Sequence, residues 1–359
     1  SNQLNAFTPG QLITFNSSLL SQLTSNQWRS LNAAKIDSLN TDVLSSLSST
    51  RISHLTTNQV SRLSTATLAA LNSNAVAAMS TAQVVSFSTA QVSGMSTNTL
   101  RALTTTQIRA MQTEDIQVLN SSNIGGFTTL QVAALTSLQI ARISSSALAA
   151  LNSSIVASLS VSQIAALTTL QFFELTSTTL KSLTPNQIVV IETADVAVLT
   201  SNNIQALSIR QLQALSTRQI AALTTGQLSS LSTSTLINLT ATQVKVLNAE
   251  KWNGLNTEKI AVLTGLQIAA LTTNQIAGLN TSTVNAISTT ALKSLTGSQI
   301  IALTTQQVQN LSTHSLKVLS ASQMGAFETR DIAVLNSNSI QSLSGLQVKA
   351  LSTKQLNAL

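Results

Sequence analysis

The chain of 359 residues contains no cysteine and no tyrosine, and it has only two histidines and two prolines. The absence of cysteine excludes disulfide bonds and thiolate metal sites, but it does not fix a cellular compartment. Charged residues make up 8% of the chain, against a usual fraction of about a quarter. We therefore expect a surface that is coated mainly by hydroxyl and amide groups.

Long apolar runs are also missing, because polar residues, mostly Ser and Thr, interrupt every stretch of eight residues. A membrane-spanning helix needs about 18 consecutive apolar residues or more, so we expect a protein that does not span a membrane. No signal peptide is present, but the chain begins in mid-repeat, and a longer precursor could carry one.

Side chains suited to catalysis or metal binding are few and scattered. His54 and His314 lie far apart and have no Asp or Glu at ligand spacing. Carboxylates near the expected helix starts are interpreted as capping residues, because negative charge is favourable there: Glu114 and Asp115, Glu192 and Asp195, Glu328 and Asp331. The sequence predicts no catalytic residue, metal site or cofactor, and we expect that the protein is not an enzyme.

One eight-residue phrase, approximately Thr-Thr-x-Gln-Ile-x-Ala-Leu, fills the chain without insertion or deletion. We label its positions a to h, with a at residue numbers divisible by eight. Positions e and h are always apolar, a is polar, d is Gln in about half of the octads, and g is usually small. So short a repeat predicts a stacked, quasi-one-dimensional array and not a globular enzyme.

The spacing of the two apolar columns favours short helices. Positions e and h are three residues apart within an octad and five apart between octads, so they cannot line one face of a strand. In one unbroken helix the apolar pair would rotate by roughly 80° per octad. Polar residues at a and d form a capping box, and both prolines, Pro9 and Pro185, lie at b, the first helical position. We predict an all-α solenoid of short capped helices, one per octad, with a bend after each h and with the e and h side chains pointing inward.

A longer period is visible where Gln is missing from d. Blocks 16–95, 96–175, 176–231, 232–311 and 312–359 each open with an octad that lacks Gln at d and has Leu at e. If each run of consecutive octads without Gln counts as one mark, the three long blocks between positions 16 and 312 have three marks each and the short block has two, hence roughly 27 residues per mark. We interpret this as one superhelical turn, with a corner or groove at each mark. Residues 1–359 are predicted to be one continuous array, part of a longer array or polymer because neither end carries a polar capping unit.

Two outer columns carry the candidate contact residues. The leucines at c could contact another rod or could be half-buried: Leu130, Leu138, Leu170, Leu266 and Leu346. The basic residues at f could form a diffuse positive stripe: Arg29, Arg101, Arg109, Lys181, Lys245, Lys293, Lys317 and Lys349. With a net charge of +7, such a stripe would either grip an acidic polymer or serve as a solvated face.

Residues 183–191, Leu-Thr-Pro-Asn-Gln-Ile-Val-Val-Ile, resemble the first-helix motif of the TAL-effector DNA-binding repeats over one octad. The second helix and base-reading loop of that family do not follow, so its DNA function does not carry over. Over the full length, the chain resembles the Ser/Thr-rich LxTxQIxAL arrays of very large secreted or surface proteins of bacteria, often adhesin-like or filamentous. This resemblance implies an extracellular spacer or fibre.

We therefore predict a structural protein, an extracellular stalk, sheath or filament subunit on a bacterial cell that associates with itself end to end or laterally. One alternative is a binding module whose basic column grips nucleic acid or an acidic polymer, although the sequence does not favour nucleic acid. Another is an adhesin that recognises ligands through its hydroxyl face.

Overall fold

The computed structural model describes the backbone of residues 2–359 and the side chains of residues 4–359. This part of the chain contains helices and connecting turns but no strand. Each octad from residue 8 onward contains one helix, and 43 of these are α-helices and one is a 3-10 helix. The predicted all-α solenoid with one short helix per octad is confirmed.

The chain divides into two compact units, Ser1–Leu183 and Thr184–Leu359. The first unit contains one 3-10 helix, Ile124–Gly126. Its α-helices are Asn2–Asn5, Pro9–Leu12, Ser17–Ser21, Ser25–Ser30, Ala33–Asp37, Thr41–Ser45, Ser49–Ser53, Thr57–Val60, Thr65–Ala70, Ser73–Ala77, Thr81–Val85, Thr89–Ser93, Thr97–Ala102, Thr105–Ala110, Thr113–Gln117, Thr129–Ala134, Ser137–Arg142, Ser145–Ala150, Ser153–Ala157, Val161–Ile164, Thr169–Glu174 and Ser177–Ser182.

The second unit is built from short α-helices like those of the first unit. They are Pro185–Val189, Thr193–Val198, Ser201–Ala206, Ile209–Ala214, Thr217–Ala222, Thr225–Ser230, Thr233–Leu236, Ala241–Lys245, Ala249–Asn253, Thr257–Ala261, Gly265–Ala270, Thr273–Gly278, Thr281–Ala286, Thr289–Leu292, Gly297–Ile301, Thr305–Gln309, Thr313–Val318, Ala321–Gly325, Thr329–Ile332, Ser337–Gln341, Gly345–Lys349 and Thr353–Leu356.

The octad that begins at Thr104 shows why a helix starts and ends in each repeat. The Thr104 hydroxyl accepts from the backbone N–H of Gln107 at 3.2 Å, and the Gln107 amide oxygen accepts from the backbone N–H of Thr104 at 2.6 Å. This is the predicted capping box. After the helix Thr105–Ala110, Met111 and Gln112 are both extended, with ψ of 144° and 156°. Since no described residue has positive φ, the corner needs no glycine.

The apolar e and h side chains form the core of each unit. Ile108 and Met111 are buried in the first unit, and Leu228 and Leu231 are buried in the second. The prediction that every e residue points into a covered core is wrong for Val348 and Leu356, which are 37% and 42% exposed. They lie in the last turn, where no further described turn covers them.

Neighbouring turns pack through helices that are three octads apart. Ser73–Ala77 contacts Thr97–Ala102 in the first unit, and Ser201–Ala206 contacts Thr225–Ser230 in the second. Hydrogen bonds between turns span 25 positions between the Ser49 hydroxyl and the Asn74 carbonyl, and 31 positions between the Gln83 amide and the Ile52 carbonyl. These separations bracket the predicted superhelical period.

Candidate functional site

The glutamines at d join each turn of the solenoid to the preceding turn of the chain, which is called the turn below. The Gln83 amide oxygen accepts from the backbone N–H of Ser80 at 2.7 Å, which caps its own helix. Its amide nitrogen donates to the carbonyls of Ile52 and Leu55 at 2.9 and 2.8 Å. These carbonyls lie 31 and 28 positions earlier, at e and h. Gln299 in the second unit donates at the same two separations.

Asparagine at a performs a related task that the sequence analysis missed. The Asn72 side-chain oxygen accepts from the backbone N–H of Ala75 at 2.9 Å, and its nitrogen donates to the carbonyls of Ser45 and Leu47 at 2.6 and 3.1 Å. All ten asparagines at a occur in octads without Gln at d. This exclusion was readable from the sequence and could have revealed that one of the two positions supplies an amide to the turn below.

Basic residues at d also reach the turn below. The ammonium of Lys35 donates to the carbonyl of Phe7, and the ammonium of Lys259 donates to the carbonyl of Ser229. The Arg51 guanidinium donates to the carbonyls of Ser21 and Leu23. Long cationic side chains thus replace the Gln amide as donors at these positions.

The octads without Gln at d stack on one another. The helices Ser73–Ala77 and Thr97–Ala102 contact each other, and Thr97–Ala102 also contacts the 3-10 helix Ile124–Gly126. Ala75 and Asn123, the d residues of the first and last of these octads, are buried. In this part of the chain the octads without Gln at d therefore form a packed column.

Three aspartates, Asp115, Asp195 and Asp331, occupy d positions, and Asp115 and Asp331 each accept a backbone hydrogen bond at the start of their helix. Asp115 accepts from the backbone N–H of Gln112 at 3.2 Å. Burial raises the pKa of Asp115 to about 6, although the bond from Gln112 lowers it, and the nearby Glu114 raises it further. Burial also raises the pKa of Asp331, which is fully buried.

The two histidines differ in their surroundings, because His314 is exposed and His54 contacts Ser25. The His54 Nε2 atom is 3.2 Å from the Ser25 hydroxyl, and its Nδ1 atom is buried without a hydrogen-bond partner. A Ser–His pair without a carboxylate on the other imidazole nitrogen lacks the group that orients the base in a hydrolase triad. In the described chain, no three His, Asp or Glu side chains are grouped closely enough to hold a metal ion.

The five leucines at c are exposed, with relative exposures between 62% for Leu170 and 82% for Leu266. This exposure rules out the half-buried alternative. Leu130 and Leu138 lie in consecutive octads and therefore on successive sides of the solenoid. Leu138 and Leu170 lie on helices that Gln171 joins across one turn. The leucines do not form one continuous stripe, and their contact with another rod remains a prediction.

The eight basic residues at f are all exposed, but the structure brings few of them together. Lys293 and Lys317 are three octads apart. Lys293 directly follows the helix Thr289–Leu292, Lys317 lies within the helix Thr313–Val318, and these two helices contact each other. Lys245 has alanines, Ala269 and Ala277, at f in the octads of the next turn. The first unit shows the same dispersion, since Arg29, Arg101, Arg109 and Lys181 are either in consecutive octads or more than two turns apart.

One shallow surface groove of about 520 Å³ is lined by 45–49 and 72–74, which are mostly Ser and Asn. The described helices are at most six residues long, so none of them could cross a bilayer.

Comparison with known families agrees with the octad register. The ALTTAQ repeat family matches residues 52–89, 60–97, 108–145, 188–225 and 324–359. Each matched stretch begins at position e, which indicates that the family profile follows the same eight-residue period. A search of curated proteins finds no match. The chain is therefore a repeat protein similar to this family in several stretches.

Proposed function

We propose that the chain is a structural protein that serves as an extracellular rod, stalk, sheath or filament subunit on a bacterial cell. The observation that carries the proposal is the repeated amide ladder: in both units, side chains at a or d bond each turn to the turn below. This repetition supplies length and cohesion between successive turns with almost no charge. The scattered Ser, His and carboxylate groups support a function other than catalysis.

Small-angle X-ray scattering of the purified chain tests the shape. A compact globule of this length would have a radius of gyration of about 21 Å. We expect a value well above this, together with a pair-distance distribution skewed toward long distances. A radius equal to that of the compact globule would reject the rod. Fractionation of the source cells tests location, with recovery of the protein from the cell surface or the medium as the expected result.

Self-association through the exposed leucines is part of this proposal. Sedimentation velocity over a hundredfold range of concentration would detect it as a rise in mean mass. Leu170→Ser and Leu266→Ser should reduce that rise, because each removes an exposed apolar side chain without touching the core. The control is Ser162→Ala, because Ser162 is exposed. A change at a buried leucine such as Leu175 would disturb the core and could not serve as a control.

The second candidate function is binding of an acidic polymer. It is favoured by Lys293 and Lys317, which lie on neighbouring turns. Retention on a heparin or DNA column that weakens steeply with rising salt would support it, because phosphate binding releases counterions. Retention that is absent at low salt would exclude it.

A further inference from the structure

Some octads carry an aspartate at d, although the side chain at this position elsewhere donates hydrogen bonds to the turn below. At d, the Gln83 amide nitrogen meets the carbonyls of Ile52 and Leu55 from the turn below. A carboxylate offers only acceptors to such carbonyls, whereas a protonated carboxyl has one O–H to donate. The protonation state at d therefore decides whether this contact attracts or repels.

Asn123 shows that a side chain as short as Asp reaches the turn below from d. Its amide nitrogen donates to the carbonyls of Val92 and Ser93, at 3.3 and 3.1 Å. These carbonyls lie 31 and 30 positions before it. Asp has the same number of side-chain heavy atoms as Asn, so length does not prevent the same bonds when the carboxyl carries a proton.

Asp115 occupies the d position one octad earlier and is 2% exposed. Its Oδ2 atom accepts from Gln112 in its own helix. By the spacing of Asn123, the carbonyls that a protonated Asp115 would reach are those of Val84 and Val85. The Val85 carbonyl already accepts from the Gln112 side chain at 2.8 Å, so a protonated Asp115 would share this acceptor with Gln112 or donate to Val84. Burial raises the pKa of this carboxyl to about 6.

Asp331 repeats the arrangement in the second unit. Its Oδ1 atom accepts from the Thr305 hydroxyl at 3.2 Å, whereas its Oδ2 atom is buried without a hydrogen-bond partner. A buried carboxylate oxygen without a partner is costly. The corresponding carbonyls of the turn below belong to Ile300 and Ile301. Burial raises the pKa of Asp331 as well.

Few charges surround the two aspartates. Around Asp115, Glu114 is on its own helix and Arg142 ends the packed helix Ser137–Arg142, while the packed helix Thr89–Ser93 carries none. No ion pair links Arg142 to Asp115 among the described contacts.

Around Asp331, Arg330 has its Nε atom 3.9 Å from Oδ1, and Glu328 pairs with Arg330. Lys354 lies on the packed helix Thr353–Leu356, and the packed helix Thr305–Gln309 carries no charge. Arg330 therefore offsets part of the Asp331 charge, and the effect of protonation should be larger at Asp115.

We propose that Asp115 and Asp331 make the stacking of their turns sensitive to pH, with the protonated carboxyl donating to the backbone of the turn below and the carboxylate unable to do so. Both groups have a folded pKa above the ordinary value of 3.8. Their contribution to stability is therefore present below about pH 4 and is lost as pH rises through about 6 at Asp115. Acid tightens these two turns, and neutral pH loosens them.

Hydrogen exchange of the full chain between pH 4 and pH 8, corrected for intrinsic rates, tests the proposal. Local opening at 113–117 should become up to about 100-fold more frequent across this range, with a smaller increase at 329–332. In the double variant Asp115→Asn/Asp331→Asn both increases should disappear, and the protection at pH 8 should exceed that of the parent chain. Asp42→Asn is the matched control, because Asp42 is exposed on its helix.

Two outcomes would overturn the proposal. One is a double variant whose opening follows the same pH profile as the parent chain. The other is a parent chain whose protection at 113–117 is constant from pH 4 to pH 8. Neither outcome depends on where the protein is located or whether it forms filaments, so the result is separate from the test of the proposed function.

Discussion

Octads with Gln at d and octads with Asn at a solve one problem with different atoms. In the Gln octads, Ser or Thr at a caps the helix and the d side chain both completes the box and donates to the turn below. In the octad of Asn72, the a side chain does both tasks. In the octads of Asn32 and Asn256, the a side chain caps the helix, and the lysine at d donates to the turn below. The Gln amide reaches carbonyls at e and h, whereas the Asn72 amide reaches carbonyls at f and h.

The comparison teaches that each turn needs a hydrogen-bond donor from the turn above more than it needs a particular residue. A helix of five or six residues has more free carbonyls than paired ones, because its last four carbonyls have no partner within the helix. These ends face the next turn, where water is excluded. A donor from the next turn satisfies them and at the same time fixes the register between turns.

Replacing Gln307 by Glu should give the largest loss of stability. The Gln307 amide nitrogen donates to the carbonyls of Ile276 and Leu279 at 2.8 and 2.6 Å in a buried setting. A carboxylate would face both carbonyl oxygens without a proton to share. We expect a loss of about 3 to 5 kcal/mol near pH 8 in chemical denaturation, and a smaller loss near pH 4.

Gln309→Glu is the control in the same helix, because Gln309 is exposed. Its cost should lie within about 0.5 kcal/mol. Equal losses for the two variants would show that the donation to the turn below contributes little, and the comparison between the two kinds of octad would lose its basis.

The local half of this ladder could be predicted from the sequence. Thr304 and Gln307 have the spacing of a capping box, and the structure contains that box. The bonds from Gln307 to Ile276 and Leu279 could not be predicted from a period of eight, because they depend on how many octads complete a turn. The marks in the d column indicated the superhelical period, which places the partners on the correct turn but does not identify the atoms.

The second prediction concerns the packed column of octads without Gln. A Cβ atom on Gly126 would lie 2.8 Å from the Cα atom and 2.9 Å from the carbonyl carbon of Thr97, closer than real contacts allow. Since the obstacle is backbone, it cannot rotate away. Gly126→Ala should therefore lower the free energy of unfolding by about 1 to 3 kcal/mol in a denaturant titration.

Gly125→Ala supplies the control one residue away, because a Cβ atom there meets nothing within 4 Å. It should be neutral or stabilising by up to about 1 kcal/mol. A destabilised Gly125→Ala variant with an unaffected Gly126→Ala variant would mean that the close approach of these turns is not what the column requires.

The glycine pair also shows a limit of the sequence reading. The consecutive glycines Gly125 and Gly126 are visible in the sequence, but the sequence could not say which of the two faces the neighbouring turn. That distinction depends on the contact between residue 126 and residue 97. Similarly, the exposed Val348 and Leu356 carry the same e-position signal as buried residues, because exposure there is decided by the neighbouring turn and not by the octad.

The smallest expected effect comes from moving the donor between the two positions. Asn72→Thr keeps a capping hydroxyl but removes the donations to Ser45 and Leu47, and it should cost about 1 to 2 kcal/mol in thermal or chemical unfolding. Asn74→Thr, on the exposed side of the same helix, should cost less than about 0.5 kcal/mol. Adding Ala75→Gln to Asn72→Thr would create a Gln octad and should restore part of the loss, because the new amide could reach the Leu44 and Leu47 carbonyls. A further loss in the double variant would mean that the turns lie too close here for Gln at d, and that position in the column, not the donor alone, selects Asn.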